Sequence, residues 1–346
     1  MKFKSPRWWY SREGAPGPVI RLLLQPLSWV WAWKTQERIE KATPFDAGVP
    51  VICVGNLTVG GVGKTPVVRA LAARLADRGL QVAALSLGYG GRTEGPHRVD
   101  PALESADDVG DEPLMLALGG VTAWVARDRP AGAVQAAEGG AQVVIMDDGH
   151  QNPFLKKTLS LVVVDGETRN GEWPFGDGSV FPAGPLREPL KRGLARADAA
   201  IVMLPADLPA ADPGLLALLA AKPVLIARLA PLAVAPPGPQ MGFAGVAKPW
   251  KVERALRAAG CQLVDFASFP DHAPYSDDTL RALEARAQAY GASLITTEKD
   301  WVRLSPEWRA KVGIWPVAAR FEDEAALDAV LAPVVVQAAA ATSPAA

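Results

Sequence analysis

Val49-Pro50-Val51-Ile52-Cys53-Val54-Gly55-Asn56-Leu57-Thr58-Val59-Gly60-Gly61-Val62-Gly63-Lys64-Thr65 passes from an apolar run, through three glycines in four positions, into a helical pattern. That order is the setting of a phosphate-binding loop between a strand and a helix. Glycines at these positions let the backbone turn its N–H groups inward, toward phosphate oxygens at the positive end of the next helix. Lys64 is then the cation that reaches the β- and γ-phosphates, and Thr65 the hydroxyl that holds Mg²⁺. Thr58 stands where glycine is usual, a departure that the flanking strand and helix outweigh. Thr58, Val59, Gly60, Gly61, Val62, Gly63, Lys64 and Thr65 are therefore the expected nucleotide-binding residues.

On either side of this loop, strand-like runs alternate with helical patterns, which predicts βα units and a parallel sheet. Strands are expected at 49–54, 82–86, 121–125, 143–146, 161–164, 199–204 and 224–227, and the helix leaving the loop at 66–79. The stretch 231–239 carries four prolines and no periodicity, so it reads as a linker. A smaller α/β unit follows, with strands at 242–247, 262–266 and 293–296 and helices at 250–259 and 276–290. The resulting division is a membrane-interface segment at 1–46, a phosphate-loop core at 47–230, a smaller α/β domain at 231–335 and a flexible tail at 336–346. The expected fold class is a doubly wound, mostly parallel α/β sheet of the P-loop NTPase type with a second, smaller α/β domain.

The chain has 346 residues and a formal net charge of −1, which argues against nucleic acid as a partner. Its two cysteines, Cys53 and Cys261, lie far apart and outside any metal-binding spacing. The segment 18–33 holds Val19, Ile20, three successive leucines, Trp29, Trp31 and Trp33, interrupted by Arg21, Gln25 and Pro26. It is too broken for a complete span and reads better as a helix lying in a bilayer interface, so a membrane surface is an expected partner. Packing as the N-terminal helix of a soluble protein is the other reading. Nothing in the sequence points to an obligate protein partner.

A second chemical signal is the run Val143-Val144-Ile145-Met146-Asp147-Asp148, an apolar strand ending in two acids at the sheet edge where ligands bind in open α/β folds. One of the pair can hold Mg²⁺ while the other orients it. Together with the phosphate loop this describes a nucleotide machine without naming its acceptor.

Seven stretches in register supply the acceptor. Val54-Gly55-Asn56-Leu57-Thr58-Val59-Gly60-Gly61, Gly88-Tyr89-Gly90-Gly91, Val109-Gly110-Asp111-Glu112-Pro113, Asp147-Asp148-Gly149-His150-Gln151, Pro182-Ala183-Gly184-Pro185-Leu186-Arg187-Glu188-Pro189, Phe269-Pro270-Asp271-His272 and Thr296-Thr297-Glu298-Lys299-Asp300 occur in this order. Over most of its length the chain resembles the tetraacyldisaccharide 4′-kinase family, the lipid A 4′-kinases of Gram-negative bacteria. The resemblance implies transfer of the γ-phosphate of ATP to the 4′-hydroxyl of a tetraacyl glucosamine disaccharide 1-phosphate, with Mg²⁺, at the cytoplasmic face of the inner membrane. The protein would be bound there peripherally or monotopically.

It also implies that Asp111 acts as base together with His272; Lys64, read from the phosphate loop, and Asp148, read from the acid-ended strand, complete the expected catalytic set. A carboxylate that holds an imidazole in the proton-accepting tautomer suits that role. Because Asp111 and His272 fall in different expected domains, the two would meet only across the interdomain cleft. Asp147 and Asp148 compete for the base role if unbound by metal. Arg187, whose planar fork suits a phosphate, is an expected substrate ligand, or else a surface arginine paired with Glu188. Tyr89, Gln151, Arg127 and Arg129 are further substrate-side expectations. Three residues depart from the family pattern: Leu87 stands for the usual Arg, and His150 and Asn152 for the usual Phe and His after Asp-Asp-Gly.

The competing reading is a P-loop ATPase or GTPase that works as a switch or metallochaperone without an acceptor. Dimeric partitioning ATPases need a second Lys just before the glycine pair, where this chain has Val59, and no Asn-Lys-x-Asp guanine reader occurs. A purely structural membrane-associated protein would leave the loop and the acid-ended strand without purpose.

Overall fold

The computed structural model describes residues 6–12 and 19–342. In chain order the strands are β1 (Val51–Gly55), β2 (Val82–Ser86), β3 (His97–Arg98), β4 (Thr122–Val125), β5 (Val143–Asp147), β6 (Leu159–Asp165), β7 (Ala199–Pro205), β8 (Val224–Pro231), β9 (Gln240–Ala244), β10 (Leu263–Ser268), β11 (Ser293–Thr297), β12 (Gly313–Trp315) and β13 (Val317–Phe321). The α-helices are α1 (Val19–Lys41), α2 (Lys64–Ala76), α3 (Ala106–Val109), α4 (Asp111–Leu118), α5 (Arg129–Glu138), α6 (Leu190–Ala195), α7 (Pro213–Leu219), α8 (Pro249–Ala258), α9 (Asp277–Ala289), α10 (Glu298–Trp301), α11 (Pro306–Lys311) and α12 (Glu324–Thr342).

A nine-stranded sheet in the order β13-β8-β7-β6-β1-β5-β2-β4-β3 forms the main layer, and a four-stranded sheet in the order β10-β9-β11-β12 forms the second. Among the described residues, the strands of the two sheets pair in parallel except at the two ends of the large sheet, where β3 and β13 run antiparallel. The central strands are near-continuous apolar runs because both their faces are covered. Along β1, Ile52 and Val54 enter the core shared with α2, while the alternate residues Val51 and Cys53 enter the core on the opposite face. The loop that follows β1 thus emerges from the centre of the sheet, flanked by β5 and β6.

The second sheet ends with β12, well before residue 335. After β12 the chain returns to the large sheet, where β13 pairs with β8, and α12 then packs Leu327, Leu331, Val334 and Ala338 into the main core. Those four positions recur at helical spacing, so a single apolar stripe drives the docking. Arg74 of α2 ties the helix down with paired hydrogen bonds of 2.8 Å to both oxygens of Asp328. Residues 336–342 are accordingly helical rather than a frayed tail, and 343–346 lie outside the described residues.

Helix α1 behaves differently. Val19, Ile20, Leu22, Leu23, Leu27, Trp29 and Val30 all face solvent. Its attachments to the body of the protein are mainly polar and include Ser28 Oγ accepting from the Ala183 N–H at 3.0 Å and the Trp31 indole N–H donating to the Arg187 carbonyl at 3.0 Å. Among the described residues, α12 is the helix long and apolar enough to cross a membrane by length and composition.

Candidate active site

The phosphate loop is shaped by two glycines in the left-handed region, Gly60 at φ 106° and Gly63 at φ 87°, where a side chain would be strained. Gly63 caps α2, whose first turn carries no acid and so leaves its positive end open to an anion. Inside the loop the Asn56 side chain donates to the Thr58 carbonyl at 2.7 Å, and Lys64 Nζ lies 3.4 Å from Asn56 Oδ1 and 3.6 Å from Asp148 Oδ1. Thr65 is buried behind Lys64.

Parallel pairing with β1 sets Asp147 beside Val54, at the carboxyl end of the sheet. Asp147 is buried, and among the described residues neither of its carboxylate oxygens has a hydrogen-bond partner. Burial, followed by the charge of Glu112, pushes its pKa up to about 7. Asp148 sits at φ 51° and accepts from Arg187 Nη1 at 2.7 Å. Its burial works upward, but Lys64 and Arg187 hold the carboxyl well below the usual range. Two adjacent acids thus have opposite character. Arg129 fixes the strand ends beneath them, donating to the Leu85 carbonyl at 2.6 Å and the Asp147 carbonyl at 2.9 Å.

Asp111 opens α4 after Gly110, whose φ of 93° reverses the chain. It meets two side chains of the smaller domain through three contacts: His272 Nδ1 at 3.0 Å, Arg303 Nη2 at 2.8 Å and Arg303 Nε at 3.0 Å. Burial would raise the Asp111 carboxyl, yet the His272 hydrogen bond and the Lys299 and Arg303 charges hold it far below the ordinary value. His272 is itself held at φ 55° in the turn after β10, with its N–H on the Gly245 carbonyl at 3.2 Å. Lys299 Nζ lies 3.1 Å from His272 Nε2, so the ammonium donates there and Nδ1–H is left to donate to Asp111. The Tyr89 ring packs edge-on against the imidazole at 5.5 Å.

These groups line one cleft of about 2060 Å³ between the sheets. Lys64, Asp147, Asp148, Arg187, Gln151, Tyr89, Asp111's partner His272 and the loop residues 58–62 come together there. Arg187 is not paired with Glu188, which instead takes Arg196 at 2.7 Å. Its guanidinium serves Asp148 and the Thr58 carbonyl. The Gln151 amide N–H donates to Asn56 O at 2.9 Å and Glu188 Oε1 at 3.0 Å. Arg127 is the exception: it pairs with Glu94 in an exposed position outside the cleft lining, and the buried Arg129 lines the cleft instead.

The departing residues are also placed. His150 is buried against Gly55, where a Cβ would come within 2.5 Å of the His150 Cβ. Nε2–H donates to the Gly193 carbonyl at 2.9 Å and Nδ1 accepts from Ser160 Oγ at 3.2 Å, a neutral ring whose pKa burial, helped by Arg196, lowers to about 3. Asn152 accepts from the Phe154 N–H in a local turn, and Leu87 lines the cleft.

Sequence reasoning missed Arg303, which has no motif of its own, and a second ionic cluster across the cleft. Asp165, at the end of β6, takes Lys251 at 2.6 Å and Lys248 at 3.1 Å, while Glu172 takes Lys248 at 2.8 Å. Burial acts upward on Asp165, but the two lysines hold it at about 2. Lys248 also lies over the Tyr10 ring at 4.6 Å, and the Tyr10 hydroxyl donates to the Val59 carbonyl of the phosphate loop at 2.7 Å.

The family model described as Tetraacyldisaccharide-1-P 4'-kinase matches residues 20–335. The chain is 64% identical over 331 residues to the tetraacyldisaccharide 4'-kinase of Caulobacter sp. (strain K31), covering 96% of this chain and 98% of the relative. It is 63% identical over 331 residues to that of Phenylobacterium zucineum (strain HLK1), covering 96% and 99%. The crystal structure of the "apo" form of LpxK from Aquifex aeolicus in complex with ATP superposes with a TM-score of 0.71 at 27% identity, over 91% of this chain and 99% of that one.

Proposed function

The chain belongs to the tetraacyldisaccharide-1-P 4'-kinase family and is a kinase that transfers phosphate to a hydroxyl group; from that premise we propose that the cleft carries the γ-phosphate of ATP to the 4′-hydroxyl of a tetraacyl glucosamine disaccharide 1-phosphate. The observation that supports this assignment of roles best is the 3.0 Å contact between Asp111 and His272, made across two domains and opening onto the same cleft as Lys64. Asp111, ionised, holds Nδ1–H and leaves the Nε2 lone pair as the proton acceptor. As the acceptor hydroxyl takes the place of Lys299 at Nε2, its proton passes to the imidazole while the oxygen attacks phosphorus in line. Lys64 and the loop N–H groups stabilise negative charge on the departing ADP oxygens.

Mg²⁺ fits the residues present. The two buried oxygens of Asp147, without a hydrogen-bond partner among the described residues, and the Thr65 hydroxyl are hard oxygen donors, whereas Asp148 is engaged by Arg187 and Lys64. When bound, the ion would neutralise the negative charge that develops on the transferring phosphate. The apolar exposed face of α1 supports binding at a membrane surface, which for this substrate is the cytoplasmic face of the inner membrane.

The test is transfer of labelled phosphate from ATP to a tetraacyl disaccharide 1-phosphate in detergent micelles, comparing wild type with Asp111→Ala and Lys64→Ala. Product from wild type with losses of about 10²–10⁴-fold in both variants is expected. ATP hydrolysis without lipid product would overturn this reading of the acceptor and favour an acceptor-free switch.

A further inference from the structure

Helix α1 carries four cations whose side chains are described, and three of them already have carboxylates. Arg21 pairs with Asp177, while Lys34 and Lys41 both pair with Glu37. Arg38 differs: it donates to the Gln151 carbonyl at 3.1 Å and, among the described residues, has no carboxylate within ion-pair distance. The cleft shows the same contrast. Lys64, Arg187, Lys248, Lys299 and Arg303 are each matched to an acid, and Arg129 is buried on two carbonyls. Arg38 is thus the accessible cleft-lining guanidinium left over for an anion.

Its position says which anion. Trp31, Thr35 and Arg38 recur at helical spacing and line the cleft together, beside the exposed apolar stripe Ile20, Leu23, Leu27 and Val30. Apart from Arg21, Gln25 and Ser28 the helix is apolar up to Trp33, and its charges cluster from Lys34 onward, so Arg38 lies just past the level where a bilayer's apolar interior gives way to headgroups. An acceptor whose acyl chains follow the stripe and whose reactive hydroxyl reaches His272 presents its remaining anionic group toward the helix end. We propose that Arg38, with the adjoining Gln151 carbonyl fixing its fork, binds the 1-phosphate of the acceptor. This rests on the kinase reading above, and gives α1 a part in substrate selection as well as in membrane attachment.

The experiment compares two acceptors, the tetraacyl disaccharide with and without its 1-phosphate, in wild type, Arg38→Ala and Arg38→Lys. Arg38→Ala should raise KM for the phosphorylated acceptor about 10- to 100-fold, the range for losing a charge-assisted pair, with kcat and the KM for ATP little changed. The preference for the phosphorylated acceptor should collapse in Arg38→Ala and recover in part in Arg38→Lys. An undiminished preference in Arg38→Ala would overturn the proposal, as would an equal loss on both acceptors, which would assign Arg38 to membrane binding. Failure of wild type to phosphorylate either acceptor would remove the kinase reading and this inference with it.

Discussion

At the scale of single residues, position in the fold decides which ionisable groups do chemistry and which hold structure. His150 lies two residues from the acids, yet both ring nitrogens are engaged in the interior. Its folded pKa of about 3 lies below the unfolded value, so the native state binds fewer protons. The associated stability is complete above the unfolded pKa near 6.5 and is lost as pH falls toward 3. At pH 5 the loss is about 2 kcal/mol, from roughly 1.4 kcal/mol per pH unit. Replacing the ring with a non-titrating one of similar bulk, His150→Phe, should flatten the fall in denaturation midpoint between pH 7 and pH 5; an unchanged slope would show that another group titrates. The identity of this residue was legible in the sequence. Its neutrality was not, because that follows from Ser160 and Gly193 on β6 and α6, which arrive from elsewhere in the chain.

Among the elements, α1 and α12 show how similar apolar content leads to different ends. Helix α12 buries Leu327, Leu331, Val334 and Ala338, whereas α1 leaves Leu22 at 74% and Leu23 at 72% exposure. Each leucine transferred into a bilayer interior contributes up to about 1.5–3 kcal/mol, and a carboxylate there reverses the sign. The double variant Leu22→Glu, Leu23→Glu should therefore lose about 100-fold or more in cosedimentation with anionic lipid vesicles. Its far-UV circular dichroism and melting temperature should stay close to wild type, since neither side chain is packed. Retained vesicle binding would move the membrane contact to another surface.

For the molecule as a whole, the site exists only where two domains meet. Asp111 belongs to the large domain, and His272, Lys299 and Arg303 to the small one. If Asp111 and His272 act as one proton-accepting unit, Asp111→Asn and His272→Ala should each lower kcat by about 10²–10⁴-fold, and the double variant should be little worse than the poorer single. Multiplied losses would mean the two act independently. On the opposite side, Asp165 neutralises Lys248 and Lys251. Asp165→Asn would leave Lys251 partly buried without its acid and Lys248 with Glu172 alone, a change expected to cost about 3–5 kcal/mol of unfolding free energy in denaturant titrations at pH 7. With a folded pKa near 2, below the unfolded carboxyl value near 4, the wild-type advantage should hold above pH 4 and narrow as pH falls toward 2.

The sequence by itself determined the local chemistry. The strand, the glycines and Lys64-Thr65 specify a phosphate loop through backbone conformation and short-range spacing, and the acid-ended β5 follows from one apolar run. The order of the motifs carried Asp111 and His272. What only the tertiary structure decided is which of these groups are paired. Arg187 engages Asp148 rather than Glu188, Arg127 turns away to Glu94 while Arg129 is buried beneath the acids, and β13 with α12 returns to the first domain. Those outcomes depend on charge pairing and desolvation between segments far apart in the chain, energies that no local pattern encodes.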